Sequence, residues 1–361
     1  MAMFTAMATM TGLVILILVV LVVIKRYVAV YGDNDIVVNL AEPIRVRGGQ
    51  TITAALAEKK IYLPSACGGK GTCGFCSVTV TEGRSEATSI EEAVIPYKQI
   101  IEGVRLGCQT RIRRNLSVEI PEEYLAVKQY RGKVTDIEIL THDIKRFDID
   151  LIEPRSISFK SGQYVVVEPV PGETRAYSIA SLRRENERIS LEVKKIPNGL
   201  CSTYLHALQV GEELAFFGPY GDFYLRNTPN KVICVAGGVG LAPMKSIIDE
   251  ALTEQNGRKV ELYYGARTIE DMYDYERYIN LTKDNENFRF YPALSDVHEI
   301  VTHPSGFVFD SGFISSEIEK RVQSGEQAEA YLCGPPIMID TSISALRKKG
   351  VADTAIYYDK F

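Results

Sequence analysis

The 361-residue sequence has few histidines and no block of like charges, and both absences limit its possible functions. The four His show no spacing typical of metal ligands. The formal net charge is −5 and no Lys/Arg-rich segment occurs, which argues against nucleic acid as a partner. Internal repeats are also absent. With 46% hydrophobic and 24% charged residues, the chain is not expected to contain long disordered segments.

Charged side chains are likewise absent from residues 1–24, and residues 13–24 are almost entirely Leu, Ile and Val. A helix formed by residues 1–24 spans about 36 Å, which exceeds a hydrocarbon core of about 30 Å. A cleavable signal peptide is the alternative, but it needs positive charge before the apolar run, whereas Lys25 and Arg26 follow it. We therefore expect a single-pass transmembrane anchor at 1–26. By the positive-inside rule, Lys25 and Arg26 face the cytoplasm. We therefore expect the chain in the cell inner (cytoplasmic) membrane, with its catalytic domains on the cytoplasmic side.

Three further segments follow the anchor. Residues 34–121 contain four of the seven Cys and open with the pattern of a β-hairpin, at 36–40 and 44–46. Residues 128–227 alternate apolar and polar side chains between Gly, Pro and Asn turns, which is typical of a small antiparallel β-barrel. Residues 228–361 alternate strands with helices, which predicts a parallel, doubly wound sheet.

The crowded cysteines have the pattern C-x5-C-x2-C-x31-C, formed by Cys67, Cys73, Cys76 and Cys108. A [2Fe-2S] cluster needs four thiolates, two on each iron, and the glycines of the loop allow its backbone to curl around such a cluster. A structural zinc site is the alternative, but zinc usually takes paired knuckles, and Cys108 has no nearby Cys or His. The pattern therefore predicts these four Cys as ligands of a [2Fe-2S] cluster. The x5 spacing departs from the x4 of plant-type ferredoxins.

The barrel segment contains a candidate flavin motif, Arg175-Ala176-Tyr177-Ser178, which resembles the R-x-Y-S-x-x-S motif of the ferredoxin–NADP reductase superfamily. Arg175 is expected to pair with a flavin phosphate, and Tyr177 to lie against the isoalloxazine ring. Ser178 is expected to hydrogen-bond the reactive N5 edge. The resemblance implies FAD rather than FMN as the bound flavin.

A second flavin contact is expected where a helix begins near residue 199. Gly199, Ser202 and Thr203 lie at this start, where backbone amides bind a pyrophosphate.

The last segment contains a glycine turn after an apolar strand, at Gly237, Gly238, Gly240 and Pro243. The turn is not G-x-G-x-x-G but resembles the G-G-x-G-[IL]-[AT]-P motif of the same superfamily. Its glycines allow close approach of a dinucleotide, and the following helix N-terminus favours negative charge.

Two later stretches complete the predicted nicotinamide site. Cys333, Gly334 and Pro335 end a strand, and the resemblance implies that they lie beside the nicotinamide. The C-terminal aromatic Phe361 is expected to cover the flavin face. Only Arg267 offers a contact for a 2′-phosphate, so NADH is expected rather than NADPH. We assign Ser178, Cys333 and Phe361 as catalytic residues.

The order of these segments resembles the F subunit of the sodium-translocating NADH:quinone oxidoreductase. Supporting stretches are residues 65–69, 236–244, 264–267 and 293–296. The resemblance implies a single N-terminal transmembrane helix, an α+β β-grasp ferredoxin domain, an antiparallel β-barrel flavin domain and an α/β Rossmann-like nicotinamide domain. It also implies electron transfer from NADH through FAD and the [2Fe-2S] cluster to the other subunits of a membrane redox complex.

One departure keeps other functions open. The stretch between Tyr164 and Arg175 is shorter than in that family, which is typical of a cousin with a different acceptor. A reductase that feeds an oxygenase, a ferredoxin or another separate one-electron acceptor is the first alternative. A redox-sensing membrane protein is the second, and the intact set of cofactor motifs favours turnover instead.

Overall fold

The computed structural model describes residues 2–27, 32–170, 172–253, 257–297, 301–325 and 327–360. Within the first helix, the described side chains are those of residues 7, 10–20 and 22. The chain divides into two compact units, Met1–Val127 and Lys128–Phe361.

The first unit opens with helix α1 (Ala2–Tyr27). Among the helices of the described residues, none meets the combined length and apolarity of a membrane span. The predicted anchor at 1–26 falls partly on Met1 and on side chains that lie outside the described set.

The rest of the first unit is a five-stranded sheet in the order β2-β1-β5-β3-β4. Its strands are β1 (Asp33–Val38), β2 (Ile44–Arg47), β3 (Ser77–Glu82), β4 (Val104–Leu106) and β5 (Leu116–Glu119), and its helices are α2 (Ile52–Ala57), α3 (Ser89–Val94) and α4 (Tyr97–Ile101). The β1–β2 hairpin is antiparallel, as predicted, and β1 pairs in parallel with β5. Thr51 is the N-cap of helix α2, and its side chain accepts a hydrogen bond from the Ala54 amide.

The second unit begins with a six-stranded antiparallel sheet in the order β10-β7-β6-β11-β8-β9. Its elements are β6 (Lys128–Ile139), β7 (Ile144–Glu153), β8 (Tyr164–Val170), β9 (Glu173–Ser178), β10 (Arg188–Lys194), α5 (Leu200–Ala207) and β11 (Glu213–Tyr220). Just after β9, Ile179 forms an antiparallel bridge with Leu191 of β10, so the two edges of the sheet meet. The predicted barrel is confirmed in this partly closed form.

The second unit continues as a seven-stranded sheet in the order β15-β16-β14-β13-β12-β17-β18. Its strands are β12 (Lys231–Gly237), β13 (Val260–Ala266), β14 (Phe288–Leu294), β15 (Val301–Thr302), β16 (Val308–Ser311), β17 (Ala328–Gly334) and β18 (Ile356–Lys360), and its helices are α6 (Leu241–Thr253), α7 (Tyr275–Asp284), α8 (Ile314–Arg321) and α9 (Pro336–Lys348). All pairs are parallel except β15–β16. Alternate residues of β12 point into two separate apolar cores, one containing α6 and α7 and the other α8 and α9. The predicted doubly wound sheet is confirmed, and the carboxyl ends of its parallel strands meet at one edge.

Candidate cofactor sites

The four predicted cluster ligands form two pairs in the first unit. The sulfurs of Cys67 and Cys73 lie 3.4 Å apart, and those of Cys76 and Cys108 lie 3.2 Å apart. Two thiolates that bind one tetrahedral metal, with bonds of about 2.3 Å, have sulfurs about 3.8 Å apart, which is close to the distances in both pairs. Within the described ranges, no three or more His, Cys, Asp or Glu side chains converge on a single ion. Two pairs, rather than one convergent set, are the donor arrangement that a two-iron cluster requires.

The cluster loop depends on glycine and on a contact from the segment that follows β4. Gly71 has a φ of +77°, and a Cβ there would lie 2.7 Å from Cγ2 of Ile90. Gln109 donates a hydrogen bond of 2.7 Å to the carbonyl oxygen of Gly69. The segment that carries Cys108 is therefore tied directly to the loop that carries the other three thiols.

Hydrogen bonds favour the thiolate form at one sulfur of each pair, Cys67 and Cys108. Burial alone raises the pKa of the Cys67 thiol, but backbone amides including those of Thr72 and Cys73 hold the pKa to about 6. The hydrogen bond from Cys76 lowers the pKa of Cys108 to about 7, and the same bond raises the pKa of Cys76. Burial raises the pKa of Cys73, so each pair contains one thiol that ionises readily and one that does not. Thiolates are the form that binds iron, and the pairs supply one each from Cys67 and Cys108.

The R-x-Y-S motif lies on β9, an edge strand of the barrel on which every residue is half-buried. The register of β9 on β8 pairs Arg175 with Val167, Ala176 with Val166, Tyr177 with Val165 and Ser178 with Tyr164. The Arg175 guanidinium donates to the carbonyl of its neighbour Thr174 at 2.6 Å. Burial raises the pKa of Tyr177, so its phenol is neutral.

The second predicted flavin contact packs beside this strand. The thiol of Cys201 on α5 lies 3.6 Å from the carbonyl oxygen of Glu173, at the start of β9. Gly199 precedes α5, and among the described residues no side chain caps the first turn of that helix. Uncapped amides at a helix N-terminus suit a pyrophosphate, so this corner fits FAD.

Two residues of this corner have separate surroundings. The Ser202 hydroxyl is buried and accepts a hydrogen bond of 3.1 Å from the Ile196 amide, which holds the preceding turn. Thr203 is exposed on the outer side of the helix start. At the start of α5, both residues therefore offer backbone amides, rather than hydroxyl groups, to a bound phosphate.

A cavity of about 720 Å³ lies at the carboxyl ends of the parallel strands in the second unit. The glycine turn, the ends of β13 and β14, and the starts of α8 and α9 form most of its wall. Two of its apolar side chains are highly exposed, since Phe313 is 71% and Ile337 is 81% accessible. A crevice of this size with exposed apolar groups at a topological switch of the sheet suits a dinucleotide.

The glycine turn and the Cys333-Gly334-Pro335 segment meet backbone to backbone beside this cavity. A Cβ on Gly334 would lie 3.2 Å from the Gly237 backbone, and a Cβ on Gly240 would lie 2.1 Å from the Cys333 carbonyl oxygen. Gly237, Gly238 and Pro335 line the cavity.

Three other predicted residues lie elsewhere. Cys333 is buried behind the cavity wall, where burial raises its pKa well above the usual value. Pro243 is buried in the first turn of α6. Phe361 lies outside the described residues.

Barrel residues also reach this cavity, which sequence patterns did not indicate. Asp143 and Lys194 line it and form an ion pair of 3.4 Å. Arg267, the predicted contact for a 2′-phosphate, pairs at 3.2 Å with Asp271. Asp359 was also missed: it pairs in register with Cys333, and burial raises its pKa to about 6. The ion pair of Arg267 could have been predicted from the sequence, because Asp271 follows it by four positions.

Comparison with known families agrees with this arrangement. The 2Fe-2S iron-sulfur cluster binding domain matches residues 39–113, the oxidoreductase FAD-binding domain matches 131–224, and the oxidoreductase NAD-binding domain matches 234–343. The chain is therefore an oxidoreductase with NADH, FAD and [2Fe-2S] as its redox groups. The FAD and cluster predictions are confirmed at the level of the domains.

Solved structures with the same fold include an Amycolatopsis cytochrome P450 reductase, GcoB, which is 27% identical with a TM-score of 0.73. That similarity covers 91% of this chain and 98% of the reductase. A ferredoxin reductase in carbazole 1,9a-dioxygenase is 24% identical with a TM-score of 0.68 over the same shares, which supports the fold alone.

Similarity to curated proteins extends over the whole chain. The F subunit of the Na(+)-translocating NADH-quinone reductase of Idiomarina loihiensis is 29% identical over 401 aligned positions, covering 98% of this chain and 97% of that protein. The corresponding F subunit of Haemophilus ducreyi is 30% identical over 395 positions, covering 97% of each. Both alignments are longer than the 361 residues here, so the relatives contain stretches that this chain lacks. The identity and the coverage together show that this chain belongs to the family of F subunits of the Na(+)-translocating NADH-quinone reductase.

Proposed function

We propose that this chain is the membrane-anchored electron-input subunit of a sodium-translocating NADH:quinone oxidoreductase-like complex. The observation that carries the proposal is similarity to F subunits of that enzyme over 97% of both chains, in a chain that contains all three redox domains. The name of those relatives is the basis for quinone as the acceptor, for sodium transport and for other subunits as partners.

The residues of the second unit bind and orient the cofactors in this proposal. The cavity wall at Gly237, Gly238 and Pro335 holds NADH, while Arg175 and the amides after Gly199 hold the phosphates of FAD. When bound, NADH supplies a hydride, FAD accepts two electrons and releases them one at a time, and the cluster carries one electron at a time. Ser178 ends β9 and is assigned to the reactive edge of the flavin.

In the first unit, the three thiols of the loop and the thiol of Cys108 would hold the two irons as two pairs, Cys67 with Cys73 and Cys76 with Cys108. The domain bounds we propose are 34–121 for the ferredoxin domain, 128–227 for the flavin barrel and 228–361 for the nicotinamide domain.

The electron path is tested on the whole chain, purified from membranes under anaerobic conditions. Addition of NADH is expected to bleach the flavin band and then the cluster band in the wild type. The Cys108→Ala variant is expected to keep the flavin response and to lose the cluster signal. A wild-type flavin that stays oxidised with excess NADH would contradict the proposal.

The acceptor is tested in membrane vesicles from cells that lack this chain. Sodium-stimulated NADH:quinone reductase activity is expected to be absent and to return when the wild-type chain is supplied. Retention of that activity without the chain, together with loss of an oxygenase activity, would support the second candidate instead. That candidate, a reductase serving an oxygenase, is favoured by the similarity to the P450 reductase over 91% of the chain.

We also propose that residues 1–26 anchor the chain in the cell inner membrane, with the redox domains in the cytoplasm. The absence of charge from residues 1–24 and the two basic residues that follow support this orientation. The wild-type chain is expected to stay in the membrane pellet after alkaline carbonate extraction, and a chain lacking 1–33 is expected in the supernatant. Release of the wild-type chain by carbonate would contradict the anchor.

A further inference from the structure

Helix α6 contacts both cofactor-binding halves of the second unit. It begins directly after the glycine turn of the nicotinamide cavity, and two adjacent residues in it, Lys245 and Ser246, contact the barrel. Neither residue lines the nicotinamide cavity.

Lys245 carries a buried charge that crosses between the halves. Its side chain is 4% exposed, and its ammonium donates to the carboxylate of Glu192 on β10, which is 0% exposed. It also donates to Asp274, next to α7. The Tyr273 hydroxyl donates to the other oxygen of Glu192 at 2.7 Å. Since a buried charge is tolerated only when it is paired and hydrogen-bonded, this cluster strongly favours one arrangement of α6 on the barrel.

Ser246 adds a second attachment beside the first, and its residue is 1% exposed. Its hydroxyl oxygen accepts a hydrogen bond of 3.1 Å from the Gly162 amide in the barrel. The same oxygen lies 3.4 Å from the carbonyl of Ile179, which directly follows Ser178 of the R-x-Y-S motif. One turn of α6 is therefore attached to the end of the flavin strand, while the start of the same helix carries the nicotinamide turn.

We propose that Lys245 and Ser246 are positioning residues that hold the nicotinamide-binding turn at a set distance from the flavin-binding strand. The proposal rests on the proposed function, because it concerns the hydride step of that reaction. Misplacement of reacting groups by about 1 Å costs roughly 100-fold in rate, so an attachment between the two halves controls that step more than it controls binding.

The decisive variant is Lys245→Met, which keeps the length of the side chain and removes its charge. Flavin reduction by NADH in single-turnover experiments is expected to slow roughly 10- to 100-fold. The KM for NADH is expected to change by less than about threefold, because the cavity wall is unchanged. The deuterium isotope effect on turnover with 4-deuterated NADH is expected to increase, because hydride transfer becomes rate-limiting. Lys245→Arg is expected to restore most of the rate.

A matched control is available in the same half of the unit. Arg258 and Glu329 form another buried ion pair, at 3.1 Å, within the nicotinamide-binding half and the segment leading into it. Arg258→Met is expected to lower thermal stability, while the isotope effect, kcat and the KM for NADH stay close to the wild-type values.

A second readout does not depend on activity. Amide hydrogen exchange in peptides covering 160–163 and 178–182 is expected to accelerate in Lys245→Met and Ser246→Ala, and to stay unchanged in Arg258→Met. If Lys245→Met folds poorly, the double variant Lys245→Met/Glu192→Gln removes both charges and takes its place.

The outcomes separate the two proposals. Equal exchange in these peptides and equal hydride rates for Lys245→Met and Arg258→Met would overturn the positioning role. Failure of NADH to reduce the wild-type flavin would instead overturn the proposed function, and the exchange measurement would still test the attachment.

Discussion

The iron–sulfur loop and the nicotinamide cavity bring their side chains together over different lengths of chain. Three of the four proposed cluster thiols lie within ten consecutive residues, from Cys67 to Cys76, and only Cys108 comes from elsewhere. The cavity instead takes its wall from residues between Asp143 and Thr341, through the ends of strands that are distant in sequence. A site like the loop can be predicted from the spacing of its residues, whereas a site like the cavity forms only when the strands assemble into a sheet.

The two sites also use glycine differently. In the loop, Gly71 supplies a left-handed turn between ligands of the same segment. At the cavity, Gly240 permits the backbone of the turn to approach the Cys333 carbonyl of another strand. The first requirement is conformational and local, while the second is steric and arises from packing.

The sharpest test of the local site is Cys108→Ala, because loss of the one distant thiol would leave one iron with a single protein thiolate. We expect complete loss of the cluster signal by electron paramagnetic resonance of the dithionite-reduced protein. The second unit contains none of the proposed cluster ligands. The affinity of Cys108→Ala for NADH, measured by calorimetric titration, is therefore expected to match that of the wild type. Loss of NADH binding would show that the two sites are not independent. Cys234→Ala, in a core strand, serves as the control for removing a thiol.

The close approach at the cavity is tested by Gly240→Ala. The new Cβ would lie 2.1 Å from a backbone oxygen, so the turn and β17 must separate. We expect a loss of about 3 kcal/mol in the free energy of unfolding, at the upper end for overpacking, measured by urea denaturation. Gly238→Ala is the matched control, since its Cβ meets nothing within 4 Å and carries only the cost of φ +54°, about 1 kcal/mol. Equal losses for both variants would remove the steric argument.

Asp359, whose strand pairs with that of Cys333 near the cavity, tests how a buried carboxyl affects the stability of the fold. Because burial raises its pKa to about 6, from an ordinary value of 3.8, the folded state binds its proton more tightly than the unfolded state. The ionised carboxylate therefore destabilises the fold above about pH 6, and this cost disappears as the pH falls below about 4. Asp359→Asn is expected to be more stable than the wild type at pH 7.5 and no more stable at pH 4, by thermal unfolding. A constant difference across that range would contradict the assignment.

The smallest effect is expected at the rim of the cavity. Arg267 is largely exposed and pairs with the half-buried Asp271, and a pair of this kind near the surface contributes about 0.2–1 kcal/mol. Asp271→Asn releases the guanidinium for a 2′-phosphate, so the preference for NADH over NADPH is expected to fall by up to about fivefold in kcat/KM. The double variant with Arg267→Ala is expected to lose this gain. An unchanged preference in Asp271→Asn would exclude Arg267 from coenzyme choice.

Much of the fold could be predicted because its strands are marked by local patterns. The continuous apolar run at Val232–Ala236 and the alternation around Ile189 both correspond to observed strands, β12 and β10. The polar contacts were not predictable in the same way. Asp143 and Lys194 lie in the barrel and stand at the nicotinamide cavity only because the barrel packs beside the sheet in the second unit.

The amino-acid sequence alone supplied the four proposed cluster thiols and the proposed flavin and nicotinamide motifs, because most of these residues stand at short, set spacings. Only the tertiary structure decided which side chains from distant strands face each other, as with Lys245 and Glu192 or Gly240 and Cys333. Such pairs depend on the packing of separate elements, and no spacing along the chain encodes that packing.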